Sequence, residues 1–432
     1  MTRLPGLEHG RLKDPAPLKR GPLARALAAL NGEGEETRLV GGAVRDLALG
    51  LDTGDLDLAT TAPPEEAMRR AGAAGFRVIP TGLDHGTVTL ILDGERIETT
   101  TLREDVETYG RRAKVAFGRD FVADAARRDF TINALSLSPD GRVHDAFGGL
   151  ADLAARRVRF IGDASARIRE DYLRILRFFR FSARFGEGAL DPEGLAATIR
   201  ERAGLERLSR ERVRAEVLKI IIAPHAAAVV KAMGDAGFLE PLFGGLAYPG
   251  RLERAIAIEA ARNETPDPIL RLAALALVIS ENSERLSQRL RLTKAETRRL
   301  LLAATALVRL HGIKTPPMRR ELEVLMFRFK RRAARDALRL AQADSTALPN
   351  DPAFVGADLV LAEAREPRLP VSGAELQAHG VAEGPRMGAI LRAFETLWVE
   401  AGFPSDAAAV DRLIAQASRD RVGDGAPDGK IP

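Results

Sequence analysis

The chain has 432 residues, of which 45% are hydrophobic, which at usual domain sizes is enough for about three folded units. It contains no cysteine, so disulfides, thiolate metal sites and cysteine nucleophiles are excluded. The formal net charge of +5 is compatible with a nucleic-acid partner without requiring one. Its apolar stretches are too short to cross a bilayer and its proline-rich start lacks a signal-peptide core, so we expect a cytoplasmic protein without a membrane partner.

The first third of the chain alternates strand-like and helix-like segments. Thr37–Val40 predicts a strand, which the turn at Gly41-Gly42 connects to a helix over 43–49. Two further strands, 88–92 and 96–101, flank an Asp-Gly dipeptide that favours a tight antiparallel hairpin, because both of its positions tolerate a positive φ. A mixed or antiparallel sheet is expected here.

Beyond about residue 150 helical patterns dominate. Thr293-Lys-Ala-Glu296 has the form of a capping box that opens a helix, and Gly312 could end that helix. These patterns therefore predict an α+β fold, with an N-terminal sheet-containing domain followed by an all-α remainder. Boundaries are expected near residues 150, 215 and 330.

Asp55 and Asp57 form the first candidate site. In a strand, side chains two residues apart point to the same face, so the two carboxylates would lie together. Such a pair suits phosphoryl transfer with two Mg²⁺ ions about 3.5–4 Å apart, which carboxylates can bridge. Glu98, on the second hairpin strand, is a candidate third catalytic carboxylate. A solvated loop and an exposed strand glutamate are the alternative interpretations.

The glycine turn is a candidate phosphate site. Gly41 and Gly42 would let backbone N–H groups approach an anion at the start of the next helix, and Arg45 would add a positive charge. The alternative is that the glycines form only a turn.

The segment 170–184 predicts a buried helix. Its apolar side chains cover almost the whole circumference at 100° per residue: Leu173, Ile175, Leu176, Phe178, Phe179 and Phe181. Arg174, Arg177 and Arg180 lie among them and need anionic or acceptor partners. An intrahelical salt bridge from Glu170 or Asp171 to Arg174 would meet that need.

Five motifs follow one another in the first 185 residues. They are Gly41-Gly-Ala-Val-Arg-Asp46, Asp55-Leu-Asp57, His85-Gly-Thr87, Arg127-Arg-Asp-Phe-Thr-Ile-Asn133, and Ile161-Gly-Asp with Glu170-Asp-Tyr-Leu-Arg174. In this order they resemble the class II CCA-adding enzymes and bacterial poly(A) polymerases of the polymerase-β nucleotidyltransferase superfamily. Segments 206–219 and 369–388 are similar to later parts of the same family.

The resemblance implies a domain order. It predicts an N-terminal extension (1–21), a catalytic nucleotidyltransferase head (22–150), a helical neck with a nucleobase-recognition helix (151–215), a helical body (216–330) and a helical tail that binds tRNA (331–418). The polar, glycine-containing end (419–432) is expected to be disordered because of its composition. His144-Asp145 lies within the head, so no metal-dependent phosphohydrolase domain is expected after the neck.

The resemblance also implies roles for individual residues. Gly42 and Arg45 would hold the nucleoside triphosphate, and Asp55 and Asp57 would bind Mg²⁺. The remaining nucleotide-binding positions are Arg128 and Asp129, for phosphate and ribose, and Asp171, Arg174, Arg177 and Arg180 on the recognition helix. For the run 127–129 a surface ion-pair cluster is the alternative.

Asp171 and Arg174 would act as a protein template. Cytosine and adenine present an amine donor beside a ring-nitrogen acceptor, which complements a carboxylate beside a guanidinium. Uracil and guanine present a carbonyl beside a ring N–H, which sets like groups against each other. One Asp–Arg pair therefore explains selection of C and A.

Two further segments bear on tRNA handling. Residues 102–121 correspond to the family's flexible loop at full length, as expected for retained A addition, but Tyr109 and Arg112 stand where relatives more often carry Asp and His. Basic side chains recur over 319–339, and they could follow an RNA backbone or simply form a solvated helix face.

The sequence thus predicts Mg²⁺-dependent transfer of CMP, CMP and AMP from CTP and ATP to the tRNA acceptor end, with release of pyrophosphate and no obligate protein partner. The alternatives are a poly(A) polymerase, an enzyme that adds only the terminal A, and a non-catalytic RNA-binding protein. Poly(A) polymerases tend to carry a long basic tail, whereas this chain ends in a short segment of mixed charge.

Overall fold

Within residues 4–83, 86–104 and 116–420, which the computed structural model describes, strands occur only in the first 144 residues. They are β1 (Leu7–Glu8), β2 (Arg11–Leu12), β3 (Thr37–Val40), β4 (Leu56–Thr60), β5 (Arg77–Gly82), β6 (Thr87–Leu92), β7 (Glu95–Thr101), β8 (Arg103–Glu104), β9 (Ala116–Phe117), β10 (Ser136–Leu137) and β11 (Val143–His144). The rest of the described chain is helical or irregular, which confirms the predicted α+β fold.

A seven-stranded sheet organises the N-terminal part in the order β11-β10-β3-β4-β7-β6-β5. Its pairs are antiparallel except for β4 and β7, which run parallel. The predicted hairpin is confirmed, since β6 and β7 pair directly and Asp93 and Gly94 between them have φ values of 51° and 82°. The predicted strand Thr37–Val40 is β3.

Two units make up the chain, Met1–Phe238 and Leu239–Pro432. The first unit contains the helices α1 (Ala16–Lys19), α2 (Gly21–Leu30), α3 (Gly42–Ala48), α4 (Pro64–Ala73), α5 (Phe121–Ala126), α6 (Gly149–Ala154), α7 (Ala164–Glu170), α8 (Leu173–Phe185), α9 (Pro192–Arg200), α10 (Arg210–Ile221) and α11 (Ala226–Asp235), with 3-10 turns at Thr131–Asn133 and Arg202–Arg207. The finer boundaries near 150, 215 and 330 stay predictions.

One face of the sheet is covered by α2, α3 and α4. Leu39, Leu58 and Ile97 point to that face and are fully buried beneath the helices. Because side chains alternate along a strand, Asp57 and Glu98 point to the opposite face. The sheet thus separates the hydrophobic core of the head from the face that carries its acidic side chains.

A chain of aromatic rings buries α8. Phe178 and Phe179 have no exposed surface, and Phe178 stacks on Phe160 with ring centroids 5.6 Å apart. Phe130 packs against Phe160 at 4.8 Å and edge-on to Phe181 at 5.4 Å. The predicted buried helix is therefore present, and these rings fix it against the head.

The predicted helix over 170–184 is interrupted near its start. α7 ends at Glu170 and α8 begins at Leu173, and between them Asp171 adopts an extended backbone with φ −153°. The Asp171 carboxylate accepts the backbone N–H of Leu173 at 3.1 Å, which supports the start of the new helix. The single predicted helix is wrong in this respect.

Gly149, at the start of α6, allows a close backbone contact. A Cβ atom at this position would collide with the carbonyl group of Thr131, in the 3-10 turn that precedes β10. The neighbouring Asp145 carboxylate accepts the backbone N–H of Gly149 at 2.8 Å and of Leu150 at 2.9 Å. Asp145 of the His144-Asp145 dipeptide thus caps a helix.

The second unit is all helical in its described residues. Its helices are α12 (Leu239–Phe243), α13 (Pro249–Ala261), α14 (Pro268–Ala276), α15 (Glu281–Leu290), α16 (Lys294–Val308), α17 (Arg319–Phe329), α18 (Arg331–Asp344), α19 (Pro352–Glu363), α20 (Gly373–Ala378), α21 (Pro385–Glu400) and α22 (Ala407–Asp420). The capping box predicted at Thr293 and Glu296 is present. The helix that it opens ends before Gly312, because the last turn tightens to i→i−3 bonds at Arg309 and Leu310.

Several basic residues of 319–339 have partners inside this unit. The Asp358 carboxylate accepts hydrogen bonds from Arg335 and Arg339, each at 2.9 Å. Arg331 donates to the carbonyl groups of Leu361 and Ala364 at the end of α19. For these three arginines the structure favours a role in helix packing over a free surface for RNA.

His85, Tyr109, Arg112 and residues 421–432 lie outside the described residues, so the predictions that fall on them are not addressed by the structure. No helix in the described part of the chain is long and apolar enough to cross a membrane.

Candidate active site

The end of β3 and the start of β4 bring the glycine turn next to the two aspartates. The strands are antiparallel, and Val40 pairs directly with Asp57. Gly41 follows with φ 71° and ψ −130°, a conformation that favours glycine. A Cβ at Gly41 would also lie 2.6 Å from Nη1 of Arg128, so this glycine gives the guanidinium room beside the turn.

The candidate catalytic carboxylates lie at the sheet face opposite to α2, α3 and α4. Parallel pairing of β4 with β7 places Glu98 directly opposite Asp57, and Asp55 precedes β4 by one residue. Burial, the Glu98 carboxylate and the Asp55 carboxylate all raise the pKa of Asp57, and Arg128 partly offsets this. Asp57 is therefore crowded by negative charge, a situation that a cation would relieve.

One cavity of about 780 Å³ extends from these aspartates to α8. Every predicted site residue except Glu98 lines it: Gly42, Arg45, Asp55, Asp57, Arg128, Asp129, Asp171, Arg174, Arg177 and Arg180. Its described lining includes eight arginines and six aspartates, so the wall remains positive even when each aspartate is ionised. Such a cavity favours a highly charged anion.

Three arginines of α8 share one face of the helix. Arg177, Arg180 and Arg184 are three or four residues apart, so they project to the same side and line the cavity. The Arg180 guanidinium lies 4.3 Å from the ring centre of Phe181, and its Nε is 2.6 Å from the buried carboxylate of Glu216. Burial lowers the pKa of Arg180 despite that pairing. The helix thus presents guanidinium groups that are already positioned.

Arg45 and Asp129 are connected through Asn133. The side-chain oxygen of Asn133 accepts from Arg45 Nη1 at 2.5 Å, and its amide nitrogen donates to Asp129 Oδ1 at 3.0 Å. The other Asp129 oxygen accepts from Arg177 Nε at 2.6 Å. Burial lowers the pKa of Arg45, and Asp46 opposes that shift. This network connects α3, the 3-10 turn and α8 into one wall.

Asp171 and Arg174 both line the cavity, but their side chains are not bonded to each other. Arg174 Nη1 lies 2.5 Å from Glu170 Oε2 and donates to the carbonyl of Arg167 at 2.7 Å. Burial raises the pKa of Glu170, but hydrogen bonds from Arg174 and Arg167 outweigh it and lower the pKa. Asp171 pairs instead with Arg212 of α10, at 2.7 Å. The two residues of the predicted template therefore pair with different residues, Arg174 with Glu170 and Asp171 with Arg212.

Comparison with known proteins places this arrangement in a family. Residues 37–159 match the poly A polymerase head domain, and residues 189–248 match the family described as "Probable RNA and SrmB-binding site of polymerase A". The CCA tRNA nucleotidyltransferase 1, mitochondrial, of Danio rerio is 38% identical over 374 residues, which cover 84% of this chain and 83% of that protein. This chain belongs to the class II CCA-adding enzyme and poly(A) polymerase family.

Two further relatives agree with this assignment. The human protein of the same name is 34% identical over 386 residues, covering 86% of this chain and 84% of its own length. The crystal structure of the Bacillus stearothermophilus CCA-adding enzyme in complex with CTP superposes with a TM-score of 0.72 at 27% identity, covering 92% of this chain and 97% of that one.

Four further residues that line the cavity were not assigned a role from the sequence. Asp46 lies 2.8 Å from Arg45, and Asn133 connects Arg45 to Asp129. Arg184 was detectable, because it continues the spacing of Arg177 and Arg180 on α8. Arg212 lies in the segment 206–219, which resembles the family, but no local pattern indicated its pairing with Asp171, 41 residues earlier in the chain.

Proposed function

We propose that this chain is a CCA-adding tRNA nucleotidyltransferase, which transfers CMP, CMP and AMP from CTP and ATP to the tRNA 3′ end without a nucleic-acid template and releases pyrophosphate. The observation that carries this proposal is that Asp55 and Asp57 share one cavity with an arginine-rich wall and with Asp171 and Arg174. Relatives named as CCA tRNA nucleotidyltransferases match over most of the chain. A cytoplasmic location remains a prediction.

Asp55 and Asp57 are the proposed Mg²⁺ ligands. The described residues contain no cluster of three or more His, Cys, Asp or Glu side chains arranged to hold a metal, so the fit rests on the donor chemistry. Carboxylate oxygens are the ligands that Mg²⁺ prefers, and the crowding of Asp57 by Glu98 and Asp55 is the repulsion that a cation removes. When bound, Mg²⁺ would activate the 3′ oxygen and neutralise phosphate charge. Glu98 would contribute through its charge beside Asp57.

The arginine wall is the proposed triphosphate site. Arg45, Arg177, Arg180 and Arg184 contribute guanidinium groups that suit phosphate oxygens in geometry and charge. Because the Arg45 and Arg180 side chains are largely buried, they need little reordering when an anion arrives. Asp129 would accept a hydrogen bond from the ribose 2′-OH, which is absent from deoxynucleotides.

Substitution of Arg174 tests the base-reading role. We expect Arg174→Ala to raise the use of UTP and GTP relative to CTP and ATP, because the guanidinium that opposes their ring N–H is gone. The measurement is single-nucleotide incorporation into tRNA with each of the four nucleotides. Lower activity with unchanged nucleotide preference would show instead that Arg174 serves only its salt bridge with Glu170.

A product-length assay tests the function itself. With a tRNA that lacks its 3′ end, CTP plus ATP should extend the product by three nucleotides and stop, and ATP alone should give little product. The physical reason is that a protein template has to change shape as the primer end changes, so C is favoured at the first two steps and A at the third. Denaturing electrophoresis of labelled tRNA measures each addition.

The same assay separates the alternatives. Because residues 37–159 match the poly A polymerase head domain, poly(A) synthesis is the second candidate function. A long ladder from ATP alone, on this tRNA or on unstructured RNA, would identify a poly(A) polymerase. Extension only of a tRNA that already ends in CC would identify an enzyme that adds the terminal A.

A further inference from the structure

Arg212 holds one member of the proposed base-reading pair. Its Nη2 atom lies 2.7 Å from Oδ2 of Asp171, and both residues line the cavity. The other carboxylate oxygen, Oδ1, accepts the backbone N–H of Leu173 at 3.1 Å. The Asp171 carboxylate is thus held from two sides, by the start of α8 and by a side chain of α10.

Asp171 needs this support because of its place in the chain. It lies in the break between α7 and α8 with an extended backbone, so no helix fixes its side chain. The side chain is also 36% exposed. Arg174, in contrast, is part of α8 and is held by Glu170 and by the carbonyl of Arg167. Without Arg212, the Asp171 side chain would keep, within the described part of the chain, only its bond to the backbone N–H of Leu173.

The two bonds leave Asp171 able to bind a base. Each carboxylate oxygen has two acceptor positions, and each uses one, for Leu173 or for Arg212. An amine of cytosine or adenine can occupy a remaining position. A carboxylate that is free to turn away would leave space for water, whose O–H groups can donate to the carbonyl of uracil or guanine. Together with Arg174, a fixed orientation of Asp171 therefore excludes uracil and guanine.

We propose that Arg212 is a positioning residue for nucleotide selection, which acts by fixing the Asp171 carboxylate as the acceptor for the exocyclic amine of cytosine or adenine. The inference rests on the proposed function, in which Asp171 and Arg174 read the base. In this proposal Arg212 acts on the base only through Asp171.

The first test is nucleotide preference in Arg212→Ala. We expect the ratio of CTP to UTP incorporation, and of ATP to GTP incorporation, to fall at least about tenfold, the value of one well-placed hydrogen bond. Arg212→Lys should recover part of the preference, because lysine restores the positive charge but not the planar guanidinium with its fixed donor geometry. Arg169→Ala is the matched control. Arg169 is an exposed arginine of α7 that pairs with Glu201 at 2.8 Å, outside the cavity lining, so preference should not change.

A double-mutant cycle shows whether Arg212 acts through Asp171. If it does, Asp171→Ala with Arg212→Ala should have the nucleotide preference of Asp171→Ala alone. An unchanged preference in a folded Arg212→Ala, or additive losses in the double variant, would overturn the inference. Thermal unfolding of each variant separates a lost fold from a lost preference.

The wild-type reactions separate the two levels of the proposal. If the wild-type protein does not add C and A to tRNA, the proposed function fails. If it does, and Arg212→Ala keeps the same preference, the proposed function stands and only the role of Arg212 is refuted.

Discussion

Asp57→Asn should lower nucleotide incorporation by at least about three orders of magnitude, while the protein stays folded. A bound metal supplies several kcal/mol of transition-state stabilisation, and about 4 kcal/mol corresponds to a thousandfold rate. The substitution removes the negative charge that binds the cation but keeps the shape of the side chain. Because burial and two neighbouring carboxylates already disfavour the charged form of Asp57, its loss should not destabilise the sheet.

The measurement is the single-turnover rate of CMP incorporation as a function of Mg²⁺ concentration. Asp55→Asn should behave similarly. Glu95→Gln is the control, because Glu95 is an exposed acid on the same strand as Glu98 but at the hairpin end. Substantial Mg²⁺-dependent activity in Asp57→Asn, with the control unaffected, would refute the assignment of Asp57 as a metal ligand.

Asp358→Asn should destabilise the second unit by about 3–5 kcal/mol, the usual cost of removing one partner from a buried ion pair. Asp358 is 5% exposed and accepts from Arg335 and Arg339, and Arg262 lies 3.2 Å away. Without the carboxylate, Arg335 and Arg339 would retain Glu264 as an acidic partner, and the buried Arg262 would retain its hydrogen bond to the side-chain oxygen of Gln342.

Trp398 makes this prediction measurable. It is the only tryptophan of the chain, and it is buried in the second unit against Phe327 and Phe403, so its fluorescence during urea unfolding reports on that unit. Glu323→Gln removes an exposed pairing with Arg319 and should change stability by less than about 0.5 kcal/mol. Equal midpoints for the two variants would contradict the role assigned to Asp358.

The same carboxylate gives the unit a dependence on acid. Burial raises the pKa of Asp358, but hydrogen bonds from Arg335 and Arg339 outweigh it and lower the pKa from 3.8 to about 2. A lowered pKa in the folded state adds stability above the unfolded value, and this is lost as the pH falls from about 4 to about 2. A shift of that size is worth about 2 kcal/mol. This is the pH-dependent part of the larger loss expected for Asp358→Asn, so the stability of that variant should lack this dependence on acid.

Local patterns were sufficient to predict much of the head. The strand at Thr37–Val40, the hairpin around Asp93-Gly94 and the buried helix with Phe178 and Phe179 all follow from alternation, turn residues and periodicity over a few neighbours. These features depend on interactions that are close in sequence, so composition and order contain the information. The resemblance to the family then assigned binding roles to residues that are distant in sequence, and the structure places these residues around one cavity.

Contacts between distant elements could not be predicted in this way. Arg212 pairs with Asp171, which lies 41 residues earlier in the chain, and Arg180 of α8 pairs with Glu216 of α10. The helix break after Glu170 was not predicted either, because neither Asp171 nor Tyr172 is a usual helix breaker and the apolar pattern begins directly after them. The spacing of the basic residues over 319–339 likewise did not indicate that Arg335 and Arg339 pair with the buried Asp358.

The close contact at Gly149 extends the mutational sensitivity of the site beyond its lining. Any side chain at this position would push against Thr131, and the same 3-10 turn carries Asn133, which connects Arg45 to Asp129. A replacement of Gly149 would therefore disturb nucleotide binding although it touches no nucleotide. A loss-of-function variant at such a position would be misjudged by any survey that counts only the residues facing the cavity.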